Sequence, residues 1–309
     1  MTTKLIRYAC LFAVIIVLCA KSSFGDDGKY AVFNYWGDGV YSLRQECLAT
    51  SMTTHNGKVD ERQQDRNMLT WKIEVVSESD DSQIFKMTIN RLVIRLQDND
   101  SELLIFDSSN DKSPELALLN AVVDAAKQTP IKAIVKDGKA IQIEGFSEDF
   151  WKKAPVPKND REKLMLTQAQ QLFSDFNISQ LFQTMTYLDS PGEVAVGEKW
   201  STESVLPLPT GKEETLKWDC ELASVKKTGS TTAAIVQGKG KVEFEVDKIS
   251  GLLVNMDGTV KYDVQAHYPM EIVQRVTCSL NREIKDENDE PLLEAVIVLQ
   301  KNNLTIDKH

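Results

Sequence analysis

The chain has 309 residues, a formal net charge of −10 at pH 7 and 42% hydrophobic residues. The apolar content is ordinary for a folded protein with a core. The excess of 46 acidic over 36 basic residues argues against nucleic acid or an anionic membrane surface as a partner, because both bind basic protein faces.

The first 25 residues have the layout of a cleavable signal peptide. A positively charged start precedes an apolar run of 13 residues at 8–20, and small residues occupy positions 23 and 25 before an acidic pair. The run is shorter than the about 20 residues that a membrane-spanning helix needs. We therefore expect cleavage after Gly25 and export to the periplasm or the cell surface, with a retained N-terminal anchor as the alternative. No later segment is apolar enough to span a membrane, so none is expected in the mature chain.

The region 26–112 is predicted to consist of strands. Residues 69–77 and 85–96 alternate between apolar and polar, which is the period of half-buried antiparallel strands. A further strand is predicted at 40–54, because it is rich in β-forming residues and is followed by the turn pair Asn56-Gly57.

The region 113–190 is predicted to hold the helices and one hairpin. Ser113 followed by Pro114 is typical of a helix start, and Ser179 is expected to cap a second helix near the end of the region. The predicted helices are 114–128, 147–153 and the long segment 160–188, and the predicted hairpin is 131–144.

The region 191–309 returns to strands. The predicted strands are 199–206, 215–226, 231–237, 241–247, 251–267, 272–284 and 292–299. Gly238-Lys239-Gly240 is expected to be a turn between two of them. This order indicates the α+β class: a large curved antiparallel sheet, or two abutting sheets, with a central helical segment packed on it. We expect 26–309 to be a single domain.

Several landmarks occur in a characteristic order. They are Phe106-Asp107-Ser108-Ser109, the hairpin about Asp137-Gly138-Lys139, the segment Val196-Gly197-Glu198-Lys199-Trp200, and Phe244-Glu245-Val246-Asp247 followed by Gly251. The chain resembles a family of exported bacterial proteins known only as a domain of unknown function, and the likeness covers nearly the whole mature chain. The overall plan is also similar to the envelope lipoprotein-carrier fold. The resemblance implies no catalytic residue.

The catalytic patterns that can be recognised in a sequence are missing. There is no Gly-x-Ser-x-Gly elbow, zinc-ligand spacing or phosphate-binding glycine loop. Cys47 and His55 are the closest Cys/His pair, but eight residues of one straight strand separate them by roughly 26 Å. The acidic runs 98–102 and 286–290 lack the glycine and distal glutamate of a calcium loop and are expected to be solvated turns. We expect no cofactor and no metal.

The three cysteines of the mature chain are Cys47, Cys220 and Cys278. Cys220 and Cys278 both fall in predicted strands and are the candidate disulfide pair of an exported protein. The alternative is that all three are buried thiols.

Four apolar residues are candidates for the lining of a ligand cavity. Leu172, Phe173 and Phe176 share one face of the long helical segment, and Trp200 follows a turn at Gly197. A helix laid over a curved sheet leaves a place for such a cavity. Ordinary packing of a helix on a sheet is the alternative interpretation of the same pattern.

Three functions are consistent with these features. The first is a non-enzymatic binding or carrier module of the cell envelope, whose partner is an apolar small molecule or an envelope protein. The second is a hydrolase that uses a carboxylate pair in a polar cleft. The third is a structural or assembly protein that acts through an exposed edge strand.

Overall fold

The computed structural model describes residues 28–31, 36–79, 82–99, 101–110, 113–136, 139–146, 148–174, 193–207, 213–228, 231–247, 250–266, 268–285 and 291–309, with the isolated positions 177, 178, 181, 184 and 190. The predicted signal peptide at 1–25, Phe176, the helix cap Ser179 and the acidic run 286–290 lie outside these residues.

Strands dominate the described chain. They are β1 (Lys29–Ala31), β2 (Gly39–His55), β3 (Lys58–Ser79), β4 (Ser82–Asp98), β5 (Ser101–Asp107), β6 (Ile131–Lys136), β7 (Lys139–Glu144), β8 (Glu193–Ala195), β9 (Lys199–Pro207), β10 (Glu213–Thr228), β11 (Thr231–Asp247), β12 (Ser250–Asp263), β13 (Tyr268–Lys285) and β14 (Pro291–Lys308).

Twelve of these strands form one antiparallel sheet. The order across it is β7, β6, β4, β3, β2, β14, β13, β12, β11, β10 and β9, and β5 adds to β4 beyond the end of β6. β2 and β14 pair from Tyr41 opposite Lys308 to His55 opposite Glu294, so the first and last long strands meet inside the sheet. β1 and β8 form a separate two-stranded sheet.

The turn between β2 and β3 confirms the prediction from the pair Asn56-Gly57. Asn56 has φ 47° and Gly57 has φ 80°, as both central residues of a tight type I′ hairpin turn require. The Asn56 backbone N–H donates to the carbonyl of Leu293 at 3.0 Å, which ties the turn to β14.

The predicted α+β class with a central helical segment is wrong, because the described chain is mostly strand. Its α-helices are short: α1 (Ala117–Gln128), α2 (Glu148–Lys152) and α3 (Asp160–Leu172), with a 3-10 turn at Pro114–Leu116 before α1. α1 packs against α3 and against β4, which is the third strand from the β7 edge. Within the described residues, no helix has the length and apolar character needed to cross a membrane.

Several strands are longer than the sequence predicts, and this difference changes the class. β11 runs straight through Gly238 and Gly240, which were expected to form a turn. Gly238 pairs with Cys220 on one side and Gly258 on the other, so the glycines belong to the sheet. A Cβ on Gly240 would lie 3.3 Å from Cδ2 of Trp218, so the missing side chain makes room for that indole.

One face of the sheet packs on the core, and we call it the inner face. On β14 the even-numbered residues lie on this face, and each of those from Val296 to Ile306 is buried. The same face of β2, β3 and β4 carries some of the largest buried side chains, among them Tyr41, Trp71 and Phe85. The inner face therefore faces the hydrophobic core of the protein.

Candidate functional site

Polar side chains interrupt the apolar inner face near the middle of the sheet. They lie on the four neighbouring strands β3, β2, β14 and β13. We call them the inner polar cluster, and its members are Cys47, Asp65, Asn67, Gln274, Gln300 and Asn302.

The register of the strands brings the cluster together. One row across the sheet consists, in order, of Asn67, Cys47, Asn302 and Gln274. Asp65 and Gln300 occupy the next row of the same face, with Ala49 between them. Directly opposite residues of antiparallel strands project to the same side of a sheet, so all six side chains face the interior.

Hydrogen bonds join the buried amides of the cluster. Nε2 of Gln300 donates to Oδ1 of Asn302 at 3.0 Å, and Nδ2 of Asn302 donates to Oε1 of Gln274 at 3.2 Å. Gln300 Nε2 also lies 3.5 Å from Sγ of Cys47. Gln274 and Asn302 have no solvent exposure. The side-chain donor of Gln300 and the Nδ2 donor of Asn302 are therefore engaged within the cluster.

Two hydrogen-bond acceptors of the inner polar cluster are unpaired within the described residues. Oδ1 of Asn67 and Oε1 of Gln300 have no hydrogen-bond partner among the described residues, although these side chains are only 8% and 5% exposed. An unpaired buried acceptor costs about 1–3 kcal/mol. Native structures leave few such groups, so each one suggests a partner other than the described residues.

The cluster has one ionisable carboxyl group and one thiol. Burial raises the pKa of Asp65 to about 6, so this carboxyl group titrates within two units of neutral pH. Burial, and then the charge of Asp65, raise the pKa of the Cys47 thiol to about 12, and the hydrogen bond from Gln300 offsets part of this rise. Cys47 is therefore a protonated thiol at neutral pH and is unsuited to act as a nucleophile.

The two rows that contain the inner polar cluster continue across the sheet toward β10. There their inward positions are apolar residues or glycines. Beyond Gln274 the first row passes through Gly258 and Gly238 to Cys220. Among the described residues, a Cβ on Gly258 would meet only the carbonyl oxygen of Val273, at an ordinary 3.7 Å, so none of their side chains fills the place beside it. The interior thus offers a polar wall on β3, β2 and β14, and an apolar wall with an open position on β12 and β11.

The outer face also carries concave surfaces, and some of the charged side chains that line them form ion pairs with one another. A groove of about 740 Å³ lies over β9 to β13, where Arg275 contacts Asp257 at 3.2 Å and Lys199 contacts Glu221 at 3.4 Å. A second groove, of about 450 Å³, is lined by the paired Arg66 and Glu46. These exposed pairs keep the outer face polar and contribute little to stability.

The cavity residues predicted from the sequence do not form one group with the cluster. Phe173 is fully buried at the end of α3, with its ring 5.2 Å from that of Phe146, and Leu172 beside it is half-buried. Trp200 lies on the edge strand β9 opposite Cys220, in the glycine-containing row. Phe176 lies outside the described residues. A cavity lined by these four residues stays a prediction.

Cys47, Cys220 and Cys278 form no disulfide among the described residues. Cys220 is on β10 and Cys278 is on β13, three strand spacings away and in a different row. Three spacings of about 4.8 Å give about 14 Å across the sheet, against the about 7 Å that a disulfide can bridge between Cα atoms. The expected Cys220–Cys278 bond is therefore not formed in this structure, because the chain places two further strands between the cysteines.

His55 and Cys47 stay apart on the continuous strand β2, as the spacing predicts. Nε2 of His55 instead lies 3.3 Å from Oε2 of Glu294, and Nδ1 contacts Asp60. Both hydrogen bonds favour the charged ring, so the pKa of His55 is raised although desolvation opposes the rise.

Sequence reasoning missed the cluster because it left the first half of β3 without a structure. Residues 58–68 are rich in charged and amide side chains, which is typical of a loop. The available signal is their alternation: Asp65 and Asn67 face inward, while Arg62, Gln64 and Arg66 face outward.

The comparisons with solved structures find only distant likenesses. A chain from a structure titled for lipid–protein interactions in lipovitellin is 11% identical, with a TM-score of 0.46 over 88% of this chain and 25% of that one. The chain thus spans about a quarter of the length of that lipovitellin chain. The translocator domain of the autotransporter NalP from Neisseria meningitidis is 8% identical (TM-score 0.20, 87% of this chain and 88% of that one). OccK5 of Pseudomonas aeruginosa is 4% identical (TM-score 0.22, 85% and 98%). These scores support no argument about function.

The family comparison is more informative. No curated protein matches the chain. A family model matches residues 80–274, a span that contains the landmark segments from Phe106 to Gly251. The expected membership of a family without a known function is confirmed, and the comparisons indicate no enzyme family. The chain belongs to DUF6263, a family of unknown function.

Proposed function

We propose that the protein is a non-enzymatic, exported binding module that holds an apolar small molecule against the inner face of its sheet. The observation that carries the proposal is that the inner face is divided into an apolar part and a polar part. Apolar residues of β10 to β13 lie in rows that also hold buried polar groups, two of whose acceptors have no partner in the described part of the chain. A small-molecule site typically combines an apolar wall with a few polar groups that fix the orientation of the ligand. A core made only for packing has no use for unpaired acceptors.

Residues on β12 and β13 supply the apolar contacts of this site. Val254, Met256, Val276 and Cys278 are buried on the inner face and lie in rows beside the inner polar cluster. Gly258 leaves the space next to them without a side chain from the residues that the structure describes. A hydrocarbon chain placed there removes its own surface from water at about 25 cal/mol per Å². The location of the protein, the periplasm or the cell surface, is part of the proposal and follows from the signal peptide pattern.

Native mass spectrometry of the full chain, expressed in a bacterium with its own N-terminal segment, tests the proposal. The expected native mass exceeds the denatured mass by that of a lipid-sized molecule. The denatured mass itself is expected to correspond to cleavage after Gly25. Equal native and denatured masses, in protein purified without detergent, would contradict ligand binding. A denatured mass that retains residues 1–25 would contradict cleavage alone.

A variant that fills the open position makes the test specific to the site. Gly258→Leu places a side chain in the space beside Gln274 and is expected to abolish retention of the ligand. Thr259→Leu is the matched control, because it adds an apolar side chain to the outer face of the same strand. If both variants keep the ligand, the site lies elsewhere.

The carboxylate-dependent hydrolase remains the alternative with one observation in its favour. Asp65 has the raised pKa expected of a general acid. A carboxylate mechanism needs a second carboxyl group, however, and the other members of the inner polar cluster are amides and a thiol. Loss of an activity on Asp65→Asn, with ligand retention unchanged, would favour the hydrolase.

A further inference from the structure

We propose that the ligand is an amphiphile whose head group donates hydrogen bonds to Oδ1 of Asn67 and Oε1 of Gln300. This inference rests on the proposed function and names the chemical class of its ligand. The two oxygens belong to side chains that are more than nine-tenths buried, and they have no partner in the part of the chain that the structure describes.

Two amide groups of the cluster on β14 already act as hydrogen-bond donors. Nε2 of Gln300 donates to Asn302, and Nδ2 of Asn302 donates to Gln274. The two cluster atoms without a hydrogen-bond partner among the described residues are both acceptors. A head group that only accepts hydrogen bonds, such as a carboxylate, cannot pair with these acceptors. A primary ammonium or a hydroxyl group can donate a hydrogen bond to them.

The charge of the cluster also favours a cationic or neutral head group. Asp65 is its one charged residue, and it is negative above its titration range. The basic residues of the neighbouring positions, Arg62 and Arg66, are on the outer face of β3. An anionic head group would therefore meet a like charge without a compensating cation from the cluster, and a cationic or neutral donor would not.

Alignment of the ligand follows from the layout of the rows. The head group lies at β3 and β14, where the two free oxygens are, and the tail extends along the rows toward Gly258 and Met256 on β12. Because the polar and apolar walls belong to the same rows, one amphiphile of moderate length contacts both.

Three probes with the same 12-carbon tail test the inference by isothermal titration below their micellar concentrations. They are dodecylammonium, dodecyltrimethylammonium and dodecanoate. The first two share a positive charge, but only dodecylammonium has N–H donors. We expect dodecylammonium to bind at least about tenfold more tightly than dodecyltrimethylammonium, the effect of roughly one buried hydrogen bond, and dodecanoate to bind most weakly.

Two variants assign the effect to the named oxygens. Asn67→Leu and Gln300→Leu are each expected to remove the advantage of dodecylammonium while leaving the affinity for dodecyltrimethylammonium within about threefold, since the hydrophobic tail contacts are kept. Gln237→Leu, an exposed amide on the outer face of β11, is the matched control and is expected to change neither value. Circular dichroism confirms that each variant is folded.

The outcomes separate this inference from the proposed function. Equal binding of all three probes overturns the head-group inference and leaves an apolar site in place. Preferential binding of dodecanoate also overturns it, because it requires donors or cations in the site. Binding of none of the probes, together with equal native and denatured masses, overturns the inference and the proposed function. The ranking on the wild-type chain stands as a test even if a variant fails to fold.

Discussion

Gln300 and Asn302 are two residues apart on β14, and Nε2 of the first donates to Oδ1 of the second at 3.0 Å inside the protein. The period of two in a strand places both on the inner face, where the alternating positions on either side are apolar. Two consecutive inward positions are therefore polar between Val298 and Leu304, which are apolar and buried on that face. This interruption is the centre of the candidate site.

The first prediction concerns the stability of this amide chain. Asn302→Ala removes the acceptor used by Gln300 and the donor used by Gln274, and leaves both groups buried. We expect the free energy of unfolding to fall by roughly 1–3 kcal/mol, measured by urea denaturation. Asn255→Ala, on the exposed outer face of β12, is the control, with an expected change below about 0.5 kcal/mol. Equal losses in the two variants would show that Asn302 has no special role.

The second prediction is a pH dependence that comes from Asp65. Its pKa is raised in the folded protein, so between the unfolded value near 4 and the folded value of about 6 the folded state holds a proton that the unfolded state has lost. Stability from this group is fully present below that window and is lost as the pH rises through it. We expect Asp65→Asn to remove this loss and to raise the free energy of unfolding above pH 6 by roughly 1–3 kcal/mol.

Urea denaturation at several pH values between 4 and 7 measures this effect. Glu243→Gln, at an exposed position on the outer face of β11, is the matched control and should leave the profile unchanged. A wild-type profile that rises across the same window, and that Asp65→Asn leaves unaltered, would show that Asp65 is not buried as described.

The third prediction concerns the landmark that begins at Phe106. Oδ1 of Asp107 accepts hydrogen bonds from Nε of Arg91 and from the backbone N–H of Ser109, each at 3.0 Å. Oγ of Ser108 accepts from the backbone N–H of Leu92 at 2.9 Å. These contacts fasten the end of β5 to β4. We expect Asp107→Asn to lower the free energy of unfolding by about 1–2 kcal/mol at neutral pH.

The contribution of Asp107 to the free energy of unfolding depends on pH in the opposite sense to that of Asp65. The hydrogen bond from Arg91 is the main cause of the lowered pKa of Asp107. The stabilisation is therefore present above the unfolded pKa and is lost as the pH falls through the folded one. Wild type and Asp107→Asn should converge in acid. Glu102→Gln, an exposed acid at the start of β5, is the control, and a gap that persists in acid would contradict the assignment.

The fourth prediction separates the thiol and disulfide interpretations of the cysteines. Burial raises the pKa of Cys47 and of Cys220 to about 12, so native protein at neutral pH should react with iodoacetamide at a small fraction of the rate of unfolded protein. The mature protein, purified without reductant and then unfolded, should take up three iodoacetamide labels, one on each cysteine. A single label, together with a mass lower by two thiol hydrogens, would show a disulfide and would contradict the strand order between β10 and β13.

Local sequence patterns by themselves determined several parts of this protein. The alternation at 69–77 and 85–96 predicts the apolar parts of β3 and β4, Asn56-Gly57 predicts the turn before β3, and Ser113-Pro114 predicts the helix start at Pro114. Each of these depends on residues that are neighbours in the chain, so the pattern and the structure share the same physical cause. The landmark order was likewise sufficient to indicate a family of unknown function.

Only the tertiary structure decided the class and the candidate site. The polar segment at 58–68 is a strand because β2 pairs along it and β4 pairs with it from Gln63 onward, although its own propensities favour a loop. Asn67, Cys47, Asn302 and Gln274 meet because β14 returns to pair with β2 over more than 200 residues of chain. Strand pairing satisfies backbone hydrogen bonds between distant segments, and that long-range requirement leaves no mark in a local pattern. The same pairing places two strands between Cys220 and Cys278 and gathers the inner polar cluster on one face.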